Sequence, residues 1–280
     1  MFKILEKQML NPVIAKIVIE APRIAKAAQP GQFLIIRDGE NGERIPLTIS
    51  DSDPVKGTVT VVIQLIGASS HRMVEEFNAG DSYADVVGPL GNPSDFVNMS
   101  PEELARQHYV FIAGGLGTAP VYPQAKWLHD RGVAVDVIIG ARMKDLLIYT
   151  EELGSACDNL YLCTDDGSVG FKGVGTAKLE QLVNEEGKKY TTCVAIGPMI
   201  MMKFAALTCG KLSIPVVVSM NSLMVDGTGM CGACRVSVGG ETKFSCVDGP
   251  EFDGALIDWD EAMRRSRQYK PEETAAMEKK

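Results

Sequence analysis

Asp226, Cys231, Cys234 and Cys246 are the residues of this 280-residue chain whose types and spacing speak most directly of chemistry. They stand in MVDGTGMCGACRVSV and the following FSC, at X-x4-C-x2-C-x11-C. This is the plant-type ligand spacing of a [2Fe–2S] cluster, with aspartate in the place of the first cysteine. Two irons need four anionic ligands, and three of them can come from one tight loop if its backbone can wrap the sulfides. Gly227, Gly229 and Gly232 give that loop its freedom, because glycine takes positive φ without strain. The fourth ligand arrives from a neighbouring strand. A carboxylate is a harder ligand than a thiolate, so its presence should alter the cluster potential and make it pH-sensitive. A zinc site or buried structural cysteines are the alternatives. Zinc usually takes two paired C-x2-C or Cys/His clusters. Here a second pair is missing, and His71, His108 and His129 lie far upstream.

A second group of residues suits a dinucleotide. The apolar run YVFIAG leads into AGGLGTAP, with Gly114, Gly115, Gly117, Thr118, Ala119 and Pro120. In open α/β sheets dinucleotides bind outside the carboxyl ends of the strands, where glycines let the backbone approach a pyrophosphate. The run is not G-x-G-x-x-G, and taken alone it could be only a tight turn. AIGPMIMM ends another strand with Gly197, Pro198 and Met199, again at a carboxyl edge where a nicotinamide could lie. Met199, Met201 and Met202 begin a helix there and read as core packing rather than redox centres. Further along, Thr164-Asp165-Asp166-Gly167 closes a strand with two carboxylates. These repel a 2′-phosphate and can accept hydrogen bonds from ribose hydroxyls, so NAD(H) is preferred over NADP(H).

The elements that must position these residues fall into three textures. From Val13 to about Leu90, IAKIVIEA, GQFLIIRD, TVTVVIQLI and DSYADVVG are short β-branched runs punctuated by Gly and Pro turns, which predicts a small antiparallel barrel. One helix, Ser70 to Phe77, interrupts it. Ser100 to Gln107 predicts a linking helix with Ser100 as N-cap and Pro101 in its first turn. From Tyr109, strands alternate with helices at 121–130, 176–185 and 199–211, which argues for a doubly wound parallel sheet. The expected division is 1–98 barrel, 99–220 nucleotide-binding domain and 221–280 cluster module, with a polar, frayed tail from Lys270. The acidic stretch DGPEFDGALIDWDE, with Trp259 among carboxylates, is either a solvated surface or a docking patch.

Composition sets the outer limits. Net charge is −8 with no basic block, which gives a nucleic-acid role little support. No apolar run approaches the ~18 residues a membrane-spanning helix needs. Lys3, Glu6 and Lys7 interrupt the N-terminal apolar residues, so no signal peptide is expected. Seven cysteines, four of them (Cys157, Cys163, Cys193, Cys209) in apolar surroundings without paired spacing, suit buried thiols in a reducing cytoplasm.

Across nearly its whole length the chain resembles the ferredoxin–NADP reductase superfamily, in the order barrel, GGxGxAP, GAR, ribose-binding strand end and GP-x-x-M. Its cluster loop is similar to that of dihydroorotate dehydrogenase electron-transfer subunits. RIPLTIS, GARMKDLLIYTEEL, TDDGSVGFKG, NSLMVDGTGMCGACRV and CVDGPEFDG are similar to the small (alpha) subunits of NADH-dependent reduced ferredoxin:NADP oxidoreductases, also called sulfide dehydrogenase beta subunits. An aspartate ligand is a mark of that family, whereas the dihydroorotate type uses four cysteines. The resemblance implies FAD in the barrel, with Leu47 covering the isoalloxazine, Thr48 bonding its polar edge beside Pro46, and Val62, Ile63 and Gln64 lining it. It implies Arg44 as a pyrophosphate partner, one residue out of register because Ile45 fills the motif's arginine slot, and Ser69 and Ser70 meeting the pyrophosphate at a helix N-terminus. Read without the rest of the constellation, those serines are an ordinary N-cap. Arg142 in GAR either meets a coenzyme phosphate or makes a surface ion pair. Ile196 stands where many superfamily members have a cysteine. The implied activity is electron transfer between NAD(H), FAD and the [2Fe–2S] cluster. The implied partner is a larger FAD- and [4Fe–4S]-containing subunit, with ferredoxin acting through it in electron bifurcation. The runner-up is the partner of a dihydroorotate dehydrogenase. A non-catalytic scaffold around a structural metal is the reading from another class.

Overall fold

A computed structural model describes residues 1–40 and 42–278. The N-terminal strands are β1 (Phe2–Asn11), β2 (Ile14–Glu20), β3 (Phe33–Arg37), β4 (Ile45–Asp53), β5 (Thr58–Gln64), β6 (Ser82–Tyr83) and β7 (Asp85–Leu90). All pairs are antiparallel, in the order β6-β1-β2-β5-β4-β3-β7. The two edge strands are separated in sequence by Ala84 alone, so the sheet curls round into a nearly closed barrel. Period-two alternation decides which side chains fill it. Ala15, Ile17 and Ile19 of β2, Leu34 and Ile36 of β3, and Val59, Val61 and Ile63 of β5 point into the barrel core. Phe33 and Ile35, on the other face of β3, point out of it toward Met224, Cys234 and Cys246. Helix α1 (Pro22–Ala27) and helix α2 (Ala68–Glu75) flank the barrel. A two-point ion pair from Arg72 on α2 to buried Asp38, both contacts 2.6 Å, holds α2 in place.

Helix α3 (Pro101–Leu104) links the barrel to the second sheet. Ser100 Oγ accepts from Glu103 N while the Glu103 carboxylate accepts from Ser100 N, a capping box. The second sheet is β11-β10-β9-β8-β12-β13-β16, built from β8 (His108–Gly114), β9 (Ala134–Ala141), β10 (Asn159–Thr164), β11 (Phe171–Lys172), β12 (Thr192–Ile196), β13 (Val216–Ser219) and β16 (Glu251–Asp253). Every pair is parallel except β13·β16. Helices α4 (Thr118–His129) and α5 (Thr150–Gly154) cover one face. Helices α6 (Gly175–Asn184) and α7 (Met199–Leu212) cover the other. The chain runs outward from β8 to β10 and then returns to the opposite side of β8 with β12. The topological switch point therefore lies between β8 and β12, where such sheets bind ligands.

The remaining chain carries the cluster loop, the hairpin β14 (Arg235–Val238) and β15 (Glu241–Phe244), and helices α8 (Trp259–Arg265) and α9 (Lys270–Glu278). The tail expected to fray is helical over α9, although the helix buries none of its residues. Lys279 and Lys280 lie outside the described residues. The acidic stretch contributes β16 and the Asp258 N-cap of α8, whose carboxylate accepts from Glu261 N at 2.9 Å. Trp259 is held there by a bond from its indole N–H to Gly254 O at 3.1 Å. Among the described residues no helix is long and apolar enough to cross a membrane.

Candidate functional site

A cleft of about 990 Å³ runs between the barrel and the carboxyl ends of the second sheet. On the barrel side Pro46, Leu47 and Thr48 of β4 and Val62 and Gln64 of β5 line it. Ile63 does not, because alternation turns it into the barrel core, where it is 1% exposed. On the sheet side Gly114, Gly115, Gly117, Ala119 and Pro120 meet Gly197 and Pro198 across the switch point. Thr118 is fully buried and spends its hydroxyl on Gly115 O at 2.9 Å.

Two of these glycines are required for different reasons. A Cβ on Gly117 would collide with the Ile196 carbonyl and come 2.8 Å from Gly197 Cα, so the ends of β8 and β12 can close only without a side chain. Gly115 has φ +54° and open space where a Cβ would stand, which leaves its backbone accessible from the cleft. Met201 packs over Gly114 and Gly197 and faces the cleft, whereas Met199 lies outside its lining, near Leu223 and Ala233.

At the ends of β9 and β10, Arg142 and Asp165 line the cleft. Asp166 instead closes its own turn, accepting from Ser168 N at 2.9 Å, and this bonding with Ser168 lowers its pKa. The pair of carboxylates therefore separates into one facing the cleft and one serving the loop. The serines of α2 are likewise engaged locally. Ser70 Oγ accepts from Ile66 N and Gly67 N at 3.0 Å, and Ser69 donates to Glu43. Arg44 lies outside the cleft lining and donates to the Val225 and Asp226 carbonyls.

The cluster loop arranges its four expected ligands as two close pairs. Cys231 Sγ lies 3.3 Å from Asp226 Oδ1, and Cys234 Sγ lies 3.2 Å from Cys246 Sγ. Two pairs suit two irons. Among the described residues no three His, Cys, Asp or Glu side chains converge as they would around a single zinc ion. The Asp226 carboxylate also accepts from the N–H groups of Thr228, Met230 and Cys231. Burial is the largest single influence and pushes its pKa up, but the Cys231 thiol and these amides together outweigh it and hold it down at about 2. It is thus an anion, ready to bind metal, at any neutral pH. Burial and the neighbouring Cys234 push the Cys246 thiol up to about 12, so metal binding there must release a proton.

Phe33 and Met224 went unnoticed in the sequence. Both line the cleft and both pack against Cys234 and Cys246, forming the wall between the two sites. Ser219, at the end of β13, and Met220 to Ser222 just past it form the cleft floor beside Pro250. Their only sequence signal was position, at the carboxyl end of a parallel strand.

Comparison with known proteins agrees with this geometry. Residues 221–258 match the iron–sulfur cluster binding domain of dihydroorotate dehydrogenase B. A Clostridium beijerinckii protein described as an uncharacterized protein in the adh 3′ region is 58% identical, over 99% of this chain and 93% of its own. The Thermotoga maritima homolog of the dihydroorotate dehydrogenase B (NAD(+)) electron transfer subunit is 44% identical, over 96% and 95%. A chain in the solved structure of an NADH-dependent reduced ferredoxin–NADP oxidoreductase, studied for flavin-based electron bifurcation, superposes with a TM-score of 0.90. It is 42% identical and the match covers 99% of this chain and 96% of that one. A Neisseria gonorrhoeae ferredoxin NADP+ reductase with bound FAD and NADP shares the fold at 17% identity and a TM-score of 0.57. The chain belongs to the family of dihydroorotate dehydrogenase B electron transfer subunits and their homologues, iron–sulfur flavoprotein oxidoreductase subunits on the ferredoxin–NADP reductase fold.

Proposed function

We propose that this chain is the small, NAD(H)-side subunit of an NADH-dependent reduced ferredoxin:NADP oxidoreductase. Its larger partner would carry its own FAD and [4Fe–4S] clusters, exchange electrons with ferredoxin and work in the cytoplasm. The observation that carries this reading over a dihydroorotate dehydrogenase partner is the Asp226–Cys231 pair, a carboxylate and a thiol 3.3 Å apart in a preformed ligand loop. Bound together, FAD, NAD(H) and a [2Fe–2S] cluster would supply two-electron hydride exchange at one end and one-electron transfer at the other.

The chain's own residues do the positioning. Pro46, Leu47, Thr48, Val62 and Gln64 would hold the flavin, with Ile63, Ser69 and Ser70 acting from behind or beside them. Gly114, Gly115, Gly117, Thr118, Ala119, Pro120, Gly197 and Pro198 would shape the coenzyme bed, with Met201 facing it and Met199 backing the start of α7. Arg142 would meet its pyrophosphate, and Asp165 its ribose hydroxyls, with Asp166 fixing the turn that aims Asp165. Asp226, Cys231, Cys234 and Cys246 would ligate the irons. The division of labour follows residues 1–98, 99–220 and 221–280. Exposed Leu223, Val225, Met230 and Val247 surround the cluster loop, and Met230 is 88% exposed, which suits a face covered by the partner.

Co-purification tests the reading. The native protein should bring down a larger flavin and [4Fe–4S] chain, and the complex should reduce NADP with NADH and reduced ferredoxin. A dihydroorotate-oxidising partner in its place would transfer the chain to the runner-up.

A further inference from the structure

Arg44 stands just before β4 and spends its guanidinium in three directions. Nε donates to Val225 O at 2.9 Å, Nη2 donates to Asp226 O at 3.3 Å, and Nη1 lies 3.7 Å from Asp85 Oδ2. Its two carbonyl partners are about 180 residues away in sequence and belong to the loop that carries the cluster aspartate. A guanidinium holds its donors in a rigid planar fork, so it can meet two carbonyls and a carboxylate at once in one fixed geometry.

The same loop touches the barrel at a second point. Gly227 has φ +76°, and a Cβ there would come 2.6 Å from Ile35 Cδ1 and 2.9 Å from Leu90 Cδ1. The loop is thus seated on β3 and β7 by close approach at Gly227 and gripped by Arg44 beside it. The Asp226 carboxylate is aimed by donors within its own loop, from Thr228, Met230 and Cys231. Those bonds orient the side chain relative to the loop, whereas the loop is set against the barrel by Arg44, by the Gly227 contact and by the packing of Phe33 and Ile35 on Met224, Cys234 and Cys246.

We infer that Arg44 is a positioning residue for the cluster, fixing the Val225–Asp226 backbone against the flavin-binding strand rather than acting on the flavin pyrophosphate. The inference rests on the reading of Asp226 as a cluster ligand. Residues that orient a metal ligand from outside typically change metal affinity 10–100-fold when removed. Arg44→Ala should therefore lose iron to a chelator about tenfold faster than the native chain. It should also shift the EPR signal and midpoint potential of its cluster, with one FAD per chain retained. Arg44→Lys keeps the charge beside Asp85 but trades the rigid fork for a single flexible ammonium, so it should lie between the two.

Loss of FAD from Arg44→Ala with native iron retention and an unaltered EPR signal would overturn the inference and return Arg44 to the flavin. So would variants identical to the native chain in iron, EPR and FAD. Should Arg44→Ala lose both groups by failing to fold, Arg44→Lys decides. Faster iron loss at full FAD content supports the tie, and native retention overturns it. A native chain with no [2Fe–2S] EPR signal would instead sink the cluster reading itself.

Discussion

A carboxylate in the first ligand position asks more of its loop than a thiolate does, because it must be held in one orientation to present a single oxygen to iron. The amides of Thr228, Met230 and Cys231 do this. Asp226→Cys should keep a cluster but lower its midpoint potential, since thiolate donates more charge. Asp226→Ala should lose or destabilise the cluster while FAD and NADH oxidation by artificial acceptors persist. An EPR signal and potential unchanged in both variants would place the fourth ligand elsewhere. The coenzyme-facing carboxylate makes a separate prediction. Only Asp165 lines the cleft, so Asp165→Ser should weaken NADH binding about tenfold, the loss of a charged hydrogen bond, and narrow the gap to NADPH. Asp166→Ser should change the NADH/NADPH ratio far less, and stopped-flow bleaching of the flavin reads both. Equal effects would mean that the turn, not the ribose contact, sets the preference. At this scale the sequence was legible where chemistry is local. The ligand spacing and the glycine turns are written in consecutive residues. Asp166, Thr118 and Ser70 are the right types in the right segments, but each spends its polar group on a neighbour within five residues. Phe33 and Met224 were invisible because an apolar residue announces a core, not which two sites its core divides.

Strand ends decide the coenzyme bed at the next scale up. The carboxyl ends of β8 and β12 approach so closely that Gly117 has no room for a methyl group. Gly117→Ala should therefore spread the switch point, destabilising the fold by about 1–3 kcal/mol. NADH affinity should fall while FAD and iron content stay native. Flavin bleaching across an NADH titration gives the affinity, and normal bleaching would show that the strand ends have slack. The parallel strands could be read directly because they are buried on both faces and carry nearly unbroken apolar runs such as YVFIAG. β1 was missed because Lys3, Glu6, Lys7 and Gln8 interrupt its apolar residues on both faces. β4 was noticed only as a flavin motif, since Pro46 and five polar residues obscure its alternation. The three residues of β16 are too short for any period to show, and their pairing with β13 is a tertiary fact.

All three segments of the molecule meet at one buried carboxyl. Glu251 of β16 accepts from Ser94 Oγ, at the end of the barrel, at 3.1 Å and from Gln124 Nε2, on α4, at 2.7 Å. Burial is the main cause that drives its pKa from an ordinary 4.5 up to about 7; the bonds from Ser94 and Gln124 oppose the rise and the charge of Asp95 adds to it. Gln124 Oε1 is buried without a partner among the described residues, so a proton on Glu251 would give that amide a donor to accept from. Between pH 4.5 and about 7 the folded chain keeps a proton that the unfolded chain has released. Unfolding free energy must then fall as pH rises through that window. The group's contribution is complete below it and lost above it, on the order of 3 kcal/mol in all. Glu251→Gln carries no such charge and can bond Gln124 at every pH. The difference in melting temperature between variant and native chain should therefore grow in the variant's favour from pH 5 to pH 8, by roughly 5–10 °C. Every other titrating group is common to the two proteins, so the difference isolates residue 251. Melting curves that shift in parallel across that range would show that Glu251 is ionised in the native junction and that its burial is relieved by water.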